Sequence, residues 1–152
     1  MKIILTINNT KKEVEISPSE FLLDVLRKLD YTSVKKGCDT GTCGVCTVLM
    51  DGKPVLSCSI LAASADGHEI TTIEGIEKDP EFKNISNALL EEGADQCGFC
   101  GPGLILNVYA MKKELKNPTE EEIKKYLVGN LCRCTGYVPQ LRAIKKYFEV
   151  KA

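Results

Sequence analysis

Eight cysteines arranged as two quartets constrain this chain more than any other feature. The first reads Cys38-x4-Cys43-x2-Cys46, with Cys58 after eleven more residues; the second joins Cys97-x2-Cys100 to Cys132-x-Cys134. Eight cysteines could form a disulfide framework, but such frameworks belong to exported chains. The opening Met1-Lys2-Ile3-Ile4-Leu5-Thr6-Ile7 has too short an apolar run for a signal peptide and lacks a cleavage site. The expectation is a cytoplasmic protein, where thiols stay reduced and this count points to metal or redox work. The single histidine, His68, lies far from both quartets and reads as a solvated loop residue, which argues against mixed Cys/His ligation.

A chain of 152 residues allows one ordinary domain or two small ones, and small ones lean on metal or staples. Twenty basic and 21 acidic residues are dispersed, with no basic stripe for nucleic acid. No apolar run approaches the ~18 residues of a membrane span. Ile3, Leu5 and Ile7 alternate with polar neighbours as a half-buried strand, Asn8-Asn9 turns, and Val14 and Ile16 alternate on the return. Ser17-Pro18-Ser19 is expected to open a helix with Phe21, Leu22, Val25, Leu26 and Leu29 on one face. Thr47–Met50 and Pro54–Leu56 form a hairpin about Asp51-Gly52, and Ile70–Ile73 a last strand.

The pattern then changes. After the polar connector Glu77-Lys78-Asp79-Pro80 only helical periodicity remains. Phe82, Ile85 and Leu89 share one face ahead of Gly93, and Leu104, Val108, Met111 and Leu115 share another. Thr119 and Glu122 make a capping box for a helix with Ile123, Tyr126 and Leu127. Leu141, Ile144 and Phe148 face inward on a last helix from about Val138. The expected class is α+β, with a small mixed sheet in residues 1–76 and a four-helix bundle in 77–152.

The first quartet has the spacing of plant-type 2Fe–2S ferredoxins. An anionic cluster wants backbone N–H groups aimed at its sulfurs, and Gly37, Gly41 and Gly44 let a loop curl that tightly. Zinc would favour two short Cys-x2-Cys knuckles, which three ligands in nine residues fit poorly. The second quartet, by spacing alone, suits either zinc or iron–sulfur. Both its pairs stand beside helix starts, whose free N–H groups stabilise thiolates and anionic clusters.

Around that quartet the segments Gln96-Cys97-Gly98-Phe99-Cys100-Gly101-Pro102-Gly103 and Gly129-Asn130-Leu131-Cys132-Arg133-Cys134-Thr135-Gly136-Tyr137 resemble two motifs of the molybdenum hydroxylases. Gly37–Cys46 matches a third, in the same order, so the whole chain resembles the small iron–sulfur subunit of the xanthine dehydrogenase and aldehyde oxidoreductase family. The resemblance implies a β-grasp ferredoxin-like domain with one 2Fe–2S cluster on Cys38, Cys43, Cys46 and Cys58. It implies a helical domain with a second on Cys97, Cys100, Cys132 and Cys134. It also implies electron relay, without catalytic residues, from a large molybdopterin-binding subunit to a medium FAD-binding subunit in a hetero-oligomer. The helical-domain cluster would face molybdopterin, with Gln96 and Cys134 touching its pterin. Two positions depart from the family: Gly101 stands where threonine is usual, and Gln140 where an apolar residue is. A free-standing ferredoxin-like carrier and a zinc-stabilised interaction module are the rival readings; Gln96 and the helical half argue against the carrier.

Overall fold

The computed structural model describes residues 1–149. The last three residues of the expected second domain, 150–152, lie outside the described residues.

Strand β1 (Lys2–Ile7) buries Ile3, Leu5 and Ile7 completely, as strict alternation demands of a one-sided sheet. It turns back into β2 (Thr10–Glu15) through Asn8 and Asn9, both left-handed at φ 49 and 64, a conformation asparagine tolerates better than most residues. Strands β3 (Thr47–Met50) and β4 (Lys53–Leu56) form the hairpin expected at Asp51-Gly52. Strand β5 (Glu69–Thr71) lies between β1 and β3, parallel to the first and antiparallel to the second, in the order β2-β1-β5-β3-β4. Helix α1 (Leu22–Lys28) packs Leu22, Val25 and Leu26 on this sheet, giving the β-grasp arrangement.

Two local expectations are corrected. Helix α1 begins at Leu22, not at Ser17. Phe21 stays extended and bridges to Leu61, leaving the residue 42% exposed while Leu23 is buried instead. The last strand ends at Thr71, because Asn8 intercepts the next residue: its Oδ1 accepts the Thr72 N–H at 2.9 Å and its Nδ2 donates to Thr72 Oγ1 at 2.9 Å. Ile73 therefore opens the short helix α2 (Ile73–Ile76).

Four helices follow. Asp79 caps α3 (Pro80–Glu91) by accepting the Glu81 N–H, and Gly93, at φ +64, ends it. Helix α4 (Gly101–Glu114) starts directly after Cys100, α5 (Glu120–Tyr126) carries the Thr119/Glu122 capping box, and α6 is Val138–Glu149. Ile85, Leu89, Leu104, Val108, Met111, Ile123, Ile144 and Phe148 make their common core. On α6 the buried face includes Gln140, Ala143 and Tyr147, and Leu141 is only half-buried. A third cluster, with Leu49 of β3, Ile73 and Ile76 of α2, and Leu106 and Ala110 of α4, joins sheet to bundle.

Candidate metal centres

The first quartet sits on the loop between α1 and β3, with Cys58 on the 3-10 turn Ser57–Ser59 after β4. Buried Ser57 ties that turn to the loop, its Oγ and N both donating to Cys46 O, at 2.7 and 3.3 Å. Backbone N–H groups of Thr42, Thr40 and Cys43 converge on Cys38 Sγ and hold its thiol down to about 5. Burial does the reverse to Cys46, pushed up to about 11, with the Cys58 thiol raising it further and the Cys58 N–H working against both. At Gly37 a Cβ would lie 2.8 Å from Val45 Cγ2, too close without a shift, and a tight 3.2 Å from Cys43 Sγ, so a side chain there would crowd the loop beside the sulfur.

The second quartet is assembled from two helix boundaries. Cys100 is the N-cap residue of α4, with Cys97 one turn before it, while Cys132 and Cys134 lie between α5 and α6. Thr135 Oγ1 donates to Cys132 Sγ at 3.1 Å; burial works against the Cys132 thiolate, but this hydroxyl and the N–H groups of Thr135 and Cys134 hold its pKa below the ordinary thiol value. The Phe99 N–H lowers Cys97. Burial and the neighbouring Cys132 push Cys100 up to about 11. Gln140, 94% buried by its 6% exposure, directs Nε2 to Cys100 Sγ at 3.7 Å. Gln96 is exposed beside Cys97.

The eight thiols are free and fall into close pairs. Cys97 and Cys134 are 3.4 Å apart, and Cys100 lies within hydrogen-bonding reach of Cys132. Upstream, Cys38 pairs with Cys43 and Cys46 with Cys58. No three His, Cys, Asp or Glu side chains converge as ligands of one metal ion among the described residues. A lone tetrahedral zinc needs all four sulfurs about one centre. Two irons need two thiolates each, which is how both quartets divide. The all-sulfur donors, the N–H groups aimed at Cys38 and the space kept by Gly37 fit 2Fe–2S clusters.

The two centres abut through backbone. The Leu131 N–H, adjacent to Cys132, donates to Cys43 O at 2.9 Å. At Gly44, φ +74, a Cβ would stand 2.2 Å from Gly129 O. Buried Asn107 of α4 donates to Gly103 O at 2.9 Å and to Thr47 Oγ1 at 3.2 Å, and Thr47 Oγ1 donates to Gly44 O at 2.7 Å. Lys35 reaches across to Gly98 O and lies over the Phe99 ring at 5.1 Å. Periodicity reads Asn107 and Thr47 as ordinary helix and strand positions; only their burial as polar residues marks them. Phe99, Leu131, Tyr137 and Val138, within a few residues of Cys97 or Cys134 in the chain, are exposed like those two cysteines.

Comparison with known proteins agrees with this geometry. Residues 5–71 match the model of a 2Fe-2S iron-sulfur cluster binding domain, and residues 72–145 that of a 2Fe-2S binding domain. The chain is 43% identical over 146 residues to the nicotinate dehydrogenase small FeS subunit of Eubacterium barkeri, covering 95% of this chain and 93% of that one. It is 47% identical over 134 residues to the xanthine dehydrogenase iron-sulfur-binding subunit of Escherichia coli O157:H7, covering 87% and 84%. A chain of the quinoline 2-oxidoreductase crystal structure from Pseudomonas putida 86 superposes with a TM-score of 0.90 at 36% identity, over 99% of this chain and 94% of that one.

Proposed function

This chain belongs to the small iron–sulfur subunits of the molybdenum hydroxylases, the xanthine dehydrogenase family, and from that membership we propose that it carries electrons from a large molybdopterin-binding subunit to a medium FAD-binding subunit. In this reading Cys38, Cys43, Cys46 and Cys58 hold one 2Fe–2S cluster within residues 1–76. Cys97, Cys100, Cys132 and Cys134 hold the other within 77–152. A bound 2Fe–2S cluster supplies one-electron redox chemistry at a potential its protein surroundings set.

The observation that carries the proposal is the junction between quartets. From Cys132 the path to Cys43 is the peptide link to Leu131 and one 2.9 Å hydrogen bond, so the two ligand sets are coupled through backbone, with little side chain between. Exposure supports the orientation proposed for the two centres. Cys46 is only 2% exposed, whereas Cys97 and Cys134 open to the surface amid apolar side chains that a partner would cover. That surface is assigned to the molybdopterin subunit, with Gln96 and Cys134 meeting the pterin. Cys38 and Cys58 line a cleft together with Lys36 and Asp39, and this side is assigned to the flavin subunit. None of the chain's residues acts as nucleophile, acid or base in this role; its work is to hold, insulate and tune.

No helix among the described residues is long and apolar enough to cross a membrane, and we assign the complex to the cytoplasm. EPR of the reduced complex is expected to give two distinct spin-one-half signals with about four irons per chain. Pull-down of the native chain is expected to recover molybdopterin- and FAD-containing subunits. A single signal at full iron loading would refute the ligand sets, and a chain recovered only as a monomer would favour the free-standing carrier.

A further inference from the structure

Gln140 is the one uncharged amide side chain buried against a thiol of either quartet among the described residues: it is 6% exposed, on the first turn of α6, with Nε2 3.7 Å from Cys100 Sγ. A buried primary amide is costly unless its donors are used. Here the acceptor it meets is a sulfur, Cys100 Sγ, in a cleft whose lining includes Gly98, Gly101, Pro102 and Leu104 together with the polar Glu77, Ser86 and Asp95. A Cβ at Gly101 would meet nothing within 4 Å, so the helix end beside Cys100 is open and α4 brings no side chain there to compete with the amide for the sulfur.

We propose that Gln140 is a positioning residue that sets the reduction potential of the second cluster by donating an N–H···S hydrogen bond to Cys100. This rests on Cys100 being a ligand of that cluster. The physical reason is charge: one-electron reduction turns a ferric iron into a ferrous one and adds a negative charge shared with the ligand sulfurs. A fixed N–H dipole stabilises the more negative state more than the oxidised one. Hydrogen bonds to the sulfurs are among the levers that move cluster potentials. The donor therefore makes the second cluster easier to reduce than an apolar residue at the same place would.

The expected effect is roughly tenfold on the reduction equilibrium, ~59 mV for a one-electron couple. The experiment is an EPR-monitored redox titration of the holo-complex carrying Gln140→Leu and, separately, Gln140→Met, which keeps the length of the side chain without its N–H. Iron content is measured in parallel. The expected result is a lower potential for the second signal in both variants, with the ferredoxin-type signal unmoved as internal reference. An unchanged second potential at full iron content overturns the inference, as does an equal shift of both signals. Loss of the second signal in both variants overturns it too, because Gln140 would then be needed for assembly and not for tuning. Failure of the ligand assignment reads differently: the wild type itself would lack a second signal.

Discussion

Gly44→Ala tests whether the contact between the two centres is as tight as the structure makes it. Two separate costs arise. A left-handed φ of +74 costs an L-residue about 1–2 kcal/mol. The new Cβ would also stand 2.2 Å from the carbonyl oxygen of Gly129, where a carbon–oxygen contact normally relaxes to about 3.3 Å. Backbone has no rotamer to escape into, so the two loops must part by about 1 Å. That opens the 2.9 Å Leu131–Cys43 hydrogen bond, and leaving its partners unsatisfied costs about 1–3 kcal/mol. The sum is about 2–5 kcal/mol, and at about 2–4 °C per kcal/mol for this chain length the midpoint should fall by about 10 °C. Two reference variants separate the contributions. Gly52→Ala, at φ +80 with nothing within 4 Å, carries the backbone strain alone. Gly129→Ala meets nothing within 4 Å and should stay within about 0.5 kcal/mol of wild type. Thermal unfolding of the three proteins decides. If Gly44→Ala loses no more than Gly52→Ala, the close approach of the loops is refuted.

Other consequences follow from single groups. Cys134→Ser should remove the second EPR signal and spare the ferredoxin-type one, with iron falling from about four to about two per chain; loss of the ferredoxin-type signal alone would mean the ligand sets are exchanged. Thr119→Ala dismantles the capping box of α5 and should cost about 1 kcal/mol, read as a midpoint lower by about 3 °C. For Glu74, burial tends to raise the carboxyl, but hydrogen bonds from the Ser33 and Thr72 hydroxyls outweigh it, so its folded pKa lies below the ordinary 4.5. Its stabilisation is complete above 4.5 and is lost as pH falls through the depressed folded value. The gap in melting temperature between wild type and Glu74→Gln should therefore narrow below pH 4.5, and a gap constant with pH would refute the assignment.

Much of this molecule is written in short-range pattern. The alternation of Ile3, Leu5 and Ile7, the Asp51-Gly52 turn, the Thr119/Glu122 box and the four-three-four repeat from Leu104 to Leu115 each specify their element locally, because strand and helix periods are properties of neighbouring residues. Cysteine spacing made the first quartet legible for the same reason: three of its cysteines lie within one loop. Local pattern failed where a distant group competed. Phe21 left the helix face to meet Leu61, and Asn8 stopped a strand at Thr71 that apolar residues would have continued to Ile73.

The sequence by itself determined two cysteine quartets, a sheet-forming half and a helical half, and through its motifs the family. Tertiary structure decided how the cysteines divide into Cys97/Cys134 and Cys100/Cys132, and that Cys43 and Leu131 join the centres through one hydrogen bond. It also decided that Gln140 turns inward to Cys100 instead of outward to water. Those outcomes depend on helix ends and loops far apart in sequence meeting at one place. Packing of α4 against the first loop, and of α6 against α3 and α5, fixes that meeting, and no residue's nearest neighbours encode it.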